Sequence, residues 1–258
     1  MQNKKPTLAI VSLTCCEGCQ QAILDLGERL LALLRKVDLV EFSWTEDEPE
    51  PDKYDLAIIE GSVVCKRDLK RLKQVRKKAG ILIALGACAC LGGIPEIKNY
   101  SDKMKAVKYV YKNISNIDNI EIKPLKKYVN INFEIPGCPP DKNEIFEILN
   151  QVLAGRVPKI PLRPVCYECL LADNDCFLLE NKMCLGPISL GGCKAVCPSS
   201  NYRCEGCRGP IDAKYDKKTG KLIPSENTLN LLKKLKKIAS KQQIEMLLHK
   251  FGMKDDII

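Results

Sequence analysis

Long hydrophobic runs and secretion signals are missing from this sequence of 258 residues. No apolar stretch approaches the roughly 20 residues that a membrane-spanning helix needs, which argues against an integral membrane protein. The chain begins MQNKKPTLAI, without the apolar region of a signal peptide and without twin arginines. We therefore expect a cytosolic protein in a reducing compartment, where cysteines serve as ligands rather than in disulfides.

Aromatic residues and catalytic motifs are also scarce. Phe, Tyr and Trp together make up 5% of the chain, and the single histidine, His249, lies near the C-terminus, where we expect it on the surface. The stretch 86–93 lacks the G-x-G-x-x-G spacing of a nucleotide-binding loop, and no nucleophile elbow is present. The net charge is +9, but no aromatic residues alternate with the lysines, which argues against a nucleic-acid partner. An acidic partner or a solvated helix face accounts better for the basic residues.

Cysteine is the residue that the sequence has in excess, with 15 in total. Eight of them fall within the 42 residues from Cys166 to Cys207, opened by the pair Cys166 and Cys169 and closed by the pair Cys204 and Cys207. This segment has no apolar periodicity of its own, so metal binding would supply its folding free energy. Eight thiolates suffice for two four-cysteine sites, and both zinc and iron–sulfur clusters use four thiolates. Buried structural cysteines are the simpler alternative, although such cysteines do not usually cluster in this way.

Short apolar strands alternate with helical segments over the first 155 residues. Strands are predicted at 8–13, 37–43, 55–60, 81–85 and 129–135, and helices at 19–34, 66–78, 102–113 and 142–154. An acidic loop containing proline separates the second and third strands. Asp141 is placed to cap the last helix and Gly155 to end it. This alternation predicts an α/β fold with an open parallel sheet covered on both faces, in a flavodoxin-like architecture.

The rest of the chain consists of a linker, the cysteine-rich segment and a tail. Residues 156–165 contain three prolines, which predicts an extended linker. The tail carries two predicted basic helices, at 228–239 and 241–251, the second with a capping box formed by Ser240 and Gln243. We therefore predict three parts: a flavodoxin-like domain at 1–155, a linker with a small irregular cysteine-rich domain at 156–210, and a basic helical tail at 211–258.

A third cysteine site is predicted in the first domain, at the carboxyl ends of its strands. Cys16 and Cys19 follow the first strand, Cys88 follows the fourth and Cys138 follows the fifth. In an open parallel sheet these loops converge at one edge, where such folds bind ligands, so four thiolates can meet there. Glu60 ends the third strand at the same edge. It is either a solvated loop acid or, more specifically, a proton relay or an occasional cluster ligand.

Three more cysteines, Cys15, Cys65 and Cys90, lie next to this site in the sequence. We predict that each is a small buried side chain rather than a ligand. Glycines stand where the backbone must turn sharply or approach a ligand: Gly18, Gly86, Gly92, Gly93 and Gly137. Their N–H groups would be available to the sulfurs of a cluster.

Taken together, these motifs resemble the small subunit of nickel–iron hydrogenases, and most closely the delta subunit of cytosolic sulfhydrogenases and the gamma subunit of deazaflavin-linked hydrogenases. The matching stretches, in chain order, are TCCEGCQ (14–20), EGSV (60–63), GACACLGG (86–93), PGCPP (136–140), VCYEC (165–169), CLGPISLGGC (184–193) and CEGCRG (204–209). Their joint order is highly specific, whereas a single C-x-x-C pair is not. The resemblance covers residues 7 to about 210 and leaves out the tail.

The resemblance implies three 4Fe–4S clusters and assigns their ligands. The proximal cluster would be held by Cys16, Cys19, Cys88 and Cys138. The distal cluster would be held by Cys166, Cys169, Cys176 and Cys184, and the medial cluster by Cys193, Cys197, Cys204 and Cys207. The C-x-x-x-C-P stretch at 193–198 is also similar to the end of a bacterial ferredoxin motif, whose last cysteine serves the other cluster, so the division between these two sets stays open.

Two departures from the membrane-linked hydrogenases are informative. Those proteins have histidine where Cys166 stands, and a non-ligand where Cys197 stands, which gives a three-iron medial cluster. With cysteine at both positions, three four-iron clusters are expected here. Full thiolate ligation generally favours lower reduction potentials than histidine ligation, which suits low-potential carriers such as nicotinamides or ferredoxin.

By this resemblance the chain is a non-catalytic electron relay. A separate large subunit would carry the nickel–iron site, since no pair of nickel-binding motifs is present here. Flavin-bearing and iron–sulfur subunits, linked to NAD(P), deazaflavin or ferredoxin, would exchange electrons with it. Two alternatives stay open: a zinc-stapled binding protein, and the small subunit of another iron–sulfur oxidoreductase such as the quinone-reductase branch. That branch usually lacks the eight-cysteine segment.

Overall fold

The structure is a computed structural model that describes residues 5–44, 51–114, 117–118, 120–211, 214–215 and 222–253. Part of the predicted acidic loop, residues 45–50, lies outside the described residues, as do residues 254–258 of the tail. The chain forms two compact units, Met1–Pro158 and Lys159–Ile258. The second unit contains both the cysteine-rich segment and the tail, which were predicted as two separate parts.

The first unit is built on a five-stranded parallel sheet. Its strands are β1 (Thr7–Ser12), β2 (Asp38–Phe42), β3 (Tyr54–Glu60), β4 (Ala79–Leu85) and β5 (Phe133–Ile135). They lie side by side in the order β2-β1-β3-β4-β5, and every neighbouring pair is parallel. This is the strand order of flavodoxin-like folds. The predicted α/β architecture is therefore confirmed.

The burial of the central strands explains their continuous apolar sequence. All residues of β3 except Asp55 are buried, and β4 ends in four consecutive buried residues, 82–85. A parallel sheet with helices on both faces has no solvent-facing side, so the side chains on both faces are apolar. β5 lies at the edge and pairs with β4 only over Phe133–Ile135, which makes it shorter than the predicted strand 129–135.

Among its described residues, this unit has six α-helices, and most of them lie where the apolar periodicity predicts them. They are α1 (Gly18–Leu24), α2 (Glu28–Leu34), α3 (Lys66–Lys78), α4 (Gly86–Leu91), α5 (Lys103–Val110) and α6 (Lys142–Leu153). The predicted helix 19–34 is divided into α1 and α2, because Gly27 adopts a φ of +57° that interrupts a right-handed helix. α3 has the predicted boundaries. Asp141 caps α6 as predicted, accepting hydrogen bonds from the N–H groups of Asn143 and Glu144 at 3.0 and 3.1 Å.

Three helical segments after β4 were not predicted, and one of them is a short 3-10 helix at Leu125–Lys127. α4 begins directly at the end of β4, and a 3-10 helix follows at Ile94–Tyr100. Gly86, Gly92 and Gly93 all adopt positive φ, so in the sequence this stretch has the composition of a loop. In the structure Gly86 begins α4, and the N–H of Gly92 donates to the carbonyl of Cys88 at its end. Cys88 therefore lies on a helix rather than in a loop.

The second unit is mainly irregular, with short elements that carry cysteines and longer helices in the tail. Its helices are α7 (Val165–Leu171), α8 (Val196–Ser199), α9 (Glu226–Ile238) and α10 (Lys241–His249). Ser240 and Gln243 form the predicted capping box at the start of α10. A two-residue antiparallel pair, β6 (Lys214–Tyr215) with β7 (Leu222–Ile223), was not predicted.

The tail supplies the hydrophobic core that the cysteine-rich segment lacks. One buried apolar cluster joins side chains of the two parts: Leu178, Leu185 and Ile188 from the cysteine-rich segment with Leu231, Leu235, Leu247 and Leu248 from α9 and α10. The Nζ atom of Lys250 lies 2.5 Å from the carboxylate of Glu205, in the loop between Cys204 and Cys207. Met253 packs against Gly206 in the same loop. The tail therefore supports the C-E-G-C loop directly.

Within the described part of the chain, no helix combines the length and the apolar character needed to cross a bilayer.

His249 is half-buried at the end of α10, so its predicted surface position is wrong. The difference arises because α10 packs onto the apolar cluster of the second unit.

Replacing Leu235 or Leu248 by alanine should destabilise the second unit, because both side chains are fully buried in its apolar cluster. Loss of a buried leucine side chain costs about 2–5 kcal/mol in the free energy of unfolding. The matched control is Leu229→Ala on α9, where the side chain is 48% exposed and a change within about 0.5 kcal/mol is expected. Chemical denaturation followed by circular dichroism measures all three variants. Equal effects at Leu229 and Leu235 would contradict this packing.

Candidate functional site

The four cysteines predicted for the first unit lie at the carboxyl edge of its sheet. Cys16 lies between β1 and α1, Cys19 in the first turn of α1, Cys88 in α4 and Cys138 between β5 and α6. Because the strands are parallel, these connections leave the sheet at the same edge. Cys19 is buried, Cys88 is half-buried, and Cys16 and Cys138 are exposed. The set therefore extends from the core to the surface.

Burial and neighbouring charges raise the pKa of two thiols in this set, Cys88 and Cys19. Burial raises the pKa of Cys88 to about 11, and the negative charges of Cys138 and Cys16 add to the shift. Burial also raises the pKa of Cys19 far above its ordinary value, with contributions from Glu60, Cys88 and Cys138. A raised pKa disfavours the thiolate, which is the form of cysteine that acts both as a nucleophile and as a metal ligand. A bound cationic centre would relieve the repulsion among the thiolates.

Glu60 holds the cysteine loop after β1 in place. Its buried carboxylate accepts hydrogen bonds from the backbone N–H groups of Cys19 (3.2 Å) and Gln20 (3.0 Å). These donors belong to the first turn of α1, where N–H groups have no partner within the helix. Glu60 is therefore not a solvated loop acid, because it is buried as the cap of α1. Its role as a proton relay stays a prediction.

The loop after β3 also fixes the helix that carries Cys88. Ser62 is fully buried, and its hydroxyl lies 3.1 Å from the carbonyl oxygens of both Cys88 and Gly92, at the end of α4. Gly61 adopts a φ of +96°, and a Cβ at this position would lie 2.8 Å from the carbonyl oxygen of Thr14. The close approach of the two loops therefore requires glycine.

Backbone contacts link the remaining cysteine loops. The N–H of Ala87 donates to the carbonyl of Gly137 over 2.7 Å, which ties α4 to the loop of Cys138. Gly86 adopts a φ of +88°, and a Cβ there would overlap the sulfur of Cys19. α1 and α4 can approach this closely only because the residue between them is glycine. The three cysteine loops are thus joined directly to one another.

The three cysteines predicted as small buried side chains differ in the structure. Cys90 is buried, with its thiol 3.5 Å from the carbonyl oxygen of Ala84. Cys15 is half-buried, and burial is the main cause that raises its pKa to about 12. Cys65 is also half-buried and is the N-cap residue of α3, where its thiol lies 3.2 Å from the carboxylate of Asp68. The predicted burial is confirmed for Cys90 and is wrong for Cys15 and Cys65, and Cys65 acts as a helix cap. That none of the three is a ligand stays a prediction.

Asp68 organises the start of α3. Its carboxylate accepts hydrogen bonds from the N–H groups of Val64 and Cys65, both at 3.0 Å, and from the hydroxyl of Thr14 at 2.9 Å. Burial alone would raise the pKa of Asp68, but the hydrogen bonds outweigh burial and lower the pKa below its ordinary value. Because Thr14 belongs to the T-C-C-E-G-C stretch, Asp68 connects α3 to the first cysteine loop.

In the second unit, the first four cysteines surround one small cavity. Its lining includes the cysteines predicted for the distal cluster: Cys166, Cys169, Cys176 and Cys184. Burial raises the pKa of Cys166 to about 12, and the charges of the other three add to the shift. A Cβ on Gly186 would lie 3.1 Å from the sulfur of Cys166, so this glycine keeps space beside the sulfurs. Cys204 also lines the cavity.

Electrostatic interactions link the remaining four cysteines in pairs and connect them to Cys184. Burial raises the pKa of Cys197, and the charges of Cys193 and Cys184 add to the shift. Burial likewise raises the pKa of Cys204, with contributions from Cys184 and Cys207. The division of the eight cysteines between two clusters stays a prediction.

The donors around these sulfurs fit iron–sulfur clusters. The N–H of Gly186 lies 3.5 Å from the sulfur of Cys184. A hydrogen bond from the N–H of Gly206 opposes the rise that burial causes in the pKa of Cys204. Hydrogen bonds to cysteine sulfur are among the interactions by which proteins set the reduction potential of such clusters. All-thiolate sets with such donors are therefore suitable ligands for 4Fe–4S clusters.

A 4Fe–4S cluster and a single metal ion place different demands on the spacing of their ligands. Among the described residues, no three His, Cys, Asp or Glu side chains are grouped closely enough to hold one metal ion. Zinc needs four ligand atoms around one ion, with sulfurs at about 2.3 Å. A 4Fe–4S cluster has four iron atoms to bind its cysteines, so its ligands need not meet at one point.

Three acidic side chains next to cysteines were missed in the sequence. Asp68, Glu168 and Glu205 follow or lie between cysteines in the stretches C-K-R-D, C-Y-E-C and C-E-G-C. Asp68 and Glu168 are buried, and Glu205 has a side chain only 10% exposed. Their position next to cysteines could have identified them in the sequence, because a buried acid beside several thiolates needs hydrogen-bond donors to compensate its charge.

Comparison with protein families gives a match over residues 16–152. The family is described as NADH ubiquinone oxidoreductase, 20 Kd subunit. The matched residues include the cysteine site of the first unit and end before the eight-cysteine segment.

Two similar proteins are hydrogenase subunits, and so is a similar solved structure. Sulfhydrogenase 2 subunit delta from Pyrococcus furiosus is 38% identical over 205 residues, which cover 79% of this chain and 86% of that protein. A subunit of the vhu F420-non-reducing hydrogenase from Methanocaldococcus jannaschii is 30% identical over 240 residues, which cover 81% of this chain and 83% of that protein. A chain of an NAD+-reducing NiFe-hydrogenase, solved in the H2-reduced state, has 30% identity and a TM-score of 0.56, covering 61% of this chain and 96% of that chain.

Gly86→Ala should displace the sulfur of Cys19 and destabilise the first unit, because the new methyl group would overlap that sulfur. The matched control is Gly155→Ala, which also has a positive φ (+67°) but has nothing within 4 Å of the added carbon. The control should lose only the conformational cost of about 1–2 kcal/mol, and Gly86→Ala should lose clearly more. Denaturant unfolding of both variants measures the difference. Equal losses would show that Cys19 does not pack against this position.

Asp68→Asn should weaken the first unit at neutral pH and have less effect in acid. The pKa of Asp68 is lowered in the folded chain, so the stability from its charged form is fully present above the unfolded-state pKa of about 4. This contribution is lost as the pH falls through the lower folded-state pKa. The difference in unfolding free energy between wild type and variant should therefore be constant above about pH 5 and shrink below about pH 4. A difference that grows in acid would contradict this interpretation.

Proposed function

Because the chain belongs to the NADH ubiquinone oxidoreductase 20 kDa subunit family, among the small subunits of nickel–iron hydrogenases, we propose that it is the electron-relay subunit of a cytosolic hydrogenase with three 4Fe–4S clusters. The clusters supply one-electron chemistry when bound. The chain contributes the thiolates, the backbone donors to them and the charges around them. The cytosol is the proposed compartment because free thiolate ligands require a reducing environment.

The proposed ligands form three sets of four. The first unit contributes Cys16, Cys19, Cys88 and Cys138. The second unit contributes Cys166, Cys169, Cys176 and Cys184 to one cluster, and Cys193, Cys197, Cys204 and Cys207 to another. In the first unit, Glu60 orients the turn of Cys19 and Ser62 orients the end of α4, so both residues position ligands without binding the cluster themselves.

One observation carries the proposal. Cysteines from three separate strand ends converge at the carboxyl edge of the sheet, and their loops are tied together by Glu60, Ser62 and Gly137. Cysteines that only fill a core would not require glycine between α1 and α4, or a buried serine bonded to the carbonyl of the cysteine itself. The convergence therefore supports a shared ligand.

A nickel–iron large subunit is the proposed first partner. This chain has no pair of nickel-binding motifs, and both of the similar archaeal proteins are named as subunits of hydrogenases. The exposed positions of Cys16 and Cys138 leave the first cluster site at the surface, where a partner subunit could cover it. Flavin-bearing or iron–sulfur subunits are the proposed further partners, because full thiolate ligation suits low-potential electron carriers.

The quinone-reductase branch is the second candidate, since the matched family takes its name from it. That match ends at residue 152 and leaves out the eight-cysteine segment of the second unit. The similar hydrogenase subunits of P. furiosus and M. jannaschii cover about four fifths of this chain. The second unit thus favours the hydrogenase.

Cys88→Ala should remove one cluster, leaving about 8 iron atoms per chain where the wild type has about 12, as three four-iron clusters require. It should also abolish hydrogen-driven reduction of external acceptors by the assembled complex. The matched control is Cys90→Ala, two residues away in the same helix, where the thiol is buried against Ala84 and about 12 iron atoms should remain. Iron analysis and paramagnetic resonance of anaerobically purified protein measure both variants.

Two results would count against the proposal in different ways. Colourless wild-type protein that contains zinc and gives no paramagnetic signal after reduction would refute the relay itself. Full iron content and acceptor reduction in Cys88→Ala would refute the ligand set of the first unit and leave the relay standing.

A further inference from the structure

A buried acid, Glu168, lies between Cys166 and Cys169 on α7, and its side chain is only 5% exposed. Its Oε1 atom accepts hydrogen bonds from Arg163, with Nε at 3.1 Å and Nη2 at 2.8 Å, and from the N–H of Gly192 at 2.8 Å. Its Oε2 atom accepts a hydrogen bond from the N–H of Lys194 at 2.8 Å. Four donors therefore converge on one carboxylate.

The two backbone donors flank Cys193, the first cysteine of the other predicted cluster. The loop after Cys193 is conformationally strained, because Lys194 and Ala195 have φ values of +55° and +51°. Left-handed conformations of residues other than glycine persist only where the surroundings fix them. Glu168 is the side chain that bonds this loop on both sides of the cysteine. The position of Cys193 is thereby tied to the helix that carries Cys166 and Cys169.

Two buried charges are bonded to the stretch that carries Cys193. Its neighbours Gly192 and Lys194 donate their N–H groups to the carboxylate of Glu168, both at 2.8 Å. Arg208 is also buried, and its Nε donates to the carbonyl of Gly191 over 2.8 Å, two residues before the cysteine. An anion and a cation are therefore held on the backbone that positions Cys193. In a buried environment such charges are screened far less than at the surface.

We propose that Glu168 is a positioning residue for Cys193, and that its negative charge lowers the reduction potential of the cluster held through that cysteine. The inference rests on the proposed function, because it presupposes a cluster at Cys193. Reduction adds an electron to the cluster, and a fixed anion beside it makes that addition less favourable. Arg163, whose side chain is 43% exposed, offsets part of this charge from the solvent side.

Two substitutions separate charge from position. Glu168→Gln keeps the length of the side chain and removes its charge. The NH2 group of the glutamine would face one of the two backbone N–H donors, so that donor loses its hydrogen bond. Glu168→Asp keeps the charge but is one methylene shorter, so it disturbs the geometry alone. Glu180→Gln is the matched control, because this acid lies in the same unit with its side chain 46% exposed and pairs with the neighbouring Lys182 at the surface.

The measurements are made on the assembled complex, with iron analysis, redox titration followed by paramagnetic resonance, and hydrogen exchange of residues 189–196. Glu168→Gln should shift one of the three cluster potentials upwards and speed exchange at one of the two residues Gly192 and Lys194. Glu168→Asp should speed exchange and leave the potentials near those of the wild type. Glu180→Gln should change neither.

Unchanged potentials in Glu168→Gln at full iron content would overturn the inference, as would equal upward shifts in the glutamine and aspartate variants. Unchanged exchange at Gly192 and Lys194 would overturn the positioning role. If Glu168→Gln loses a cluster, its potential cannot be compared, and Arg163→Gln is measured instead. Removal of this compensating cation should lower the reduction potential of the same cluster. An unchanged potential in Arg163→Gln would refute the electrostatic claim. Wild-type complex without iron would refute the proposed function itself, and that result is visible before any variant is measured.

Discussion

The structure depends on holding several sulfur atoms close together beside buried carboxylates, an arrangement that is electrostatically unfavourable in the chain alone. Burial and mutual repulsion raise the pKa of Cys19, Cys88 and Cys166, which means that the fold disfavours their charged forms. A fold keeps such an arrangement only where the backbone around it is fixed by other interactions. In the first unit those interactions come from the loop after β3, where Glu60 and Ser62 reach the helices on either side.

The same interaction, a carboxylate that accepts hydrogen bonds from backbone N–H groups, occurs at three cysteine loops. Glu60, Asp68 and Glu168 each accept hydrogen bonds from two or more backbone N–H groups. A carboxylate is suited to this task because its two oxygens can accept several hydrogen bonds at once, and because charged acceptors form stronger bonds than neutral ones. Each acid fixes two points of a loop that has no regular structure of its own. The negative charge that comes with it then also affects the neighbouring sulfur.

The sequence predicts those parts of the fold in which a repeating apolar pattern meets a clear end signal. α3 and α6 have their predicted positions, because each combines an apolar stripe with a recognisable cap or a following strand. α4 was missed because Gly86, Gly92 and Gly93 resemble a loop, whereas in the structure their positive φ values provide the turns at the two ends of the helix. Predictions that use composition alone therefore fail where a glycine allows two elements to pack closely, because such a glycine does not indicate a flexible loop.

The buried acids show a second limit. In the sequence, Glu60 ends an apolar strand at its loop and Glu168 lies between two cysteines, and acids are usually solvated. Their burial depends on N–H donors that come from distant parts of the chain, 24 and 26 residues away for Glu168. The position of Glu168 between cysteines indicates that it needs donors, but no local pattern identifies which donors these are. The convergence of the cysteines, in contrast, follows from the parallel sheet and could be predicted.

The second unit combines two sources of stability that are usually treated as alternatives. Small metal domains often lack a core and fold only with their metal, which is what the cysteine-rich segment alone would indicate. Here α9 and α10 bury Leu231, Leu235 and Leu248 against it, and each buried leucine contributes about 1.5–3 kcal/mol. The two sources meet at the C-E-G-C loop, where Glu205 binds Lys250 on one side while Cys204 and Cys207 face the other cysteines. The tail can therefore hold this loop near its ligand position before any metal is bound, which reduces the ordering cost that binding must overcome.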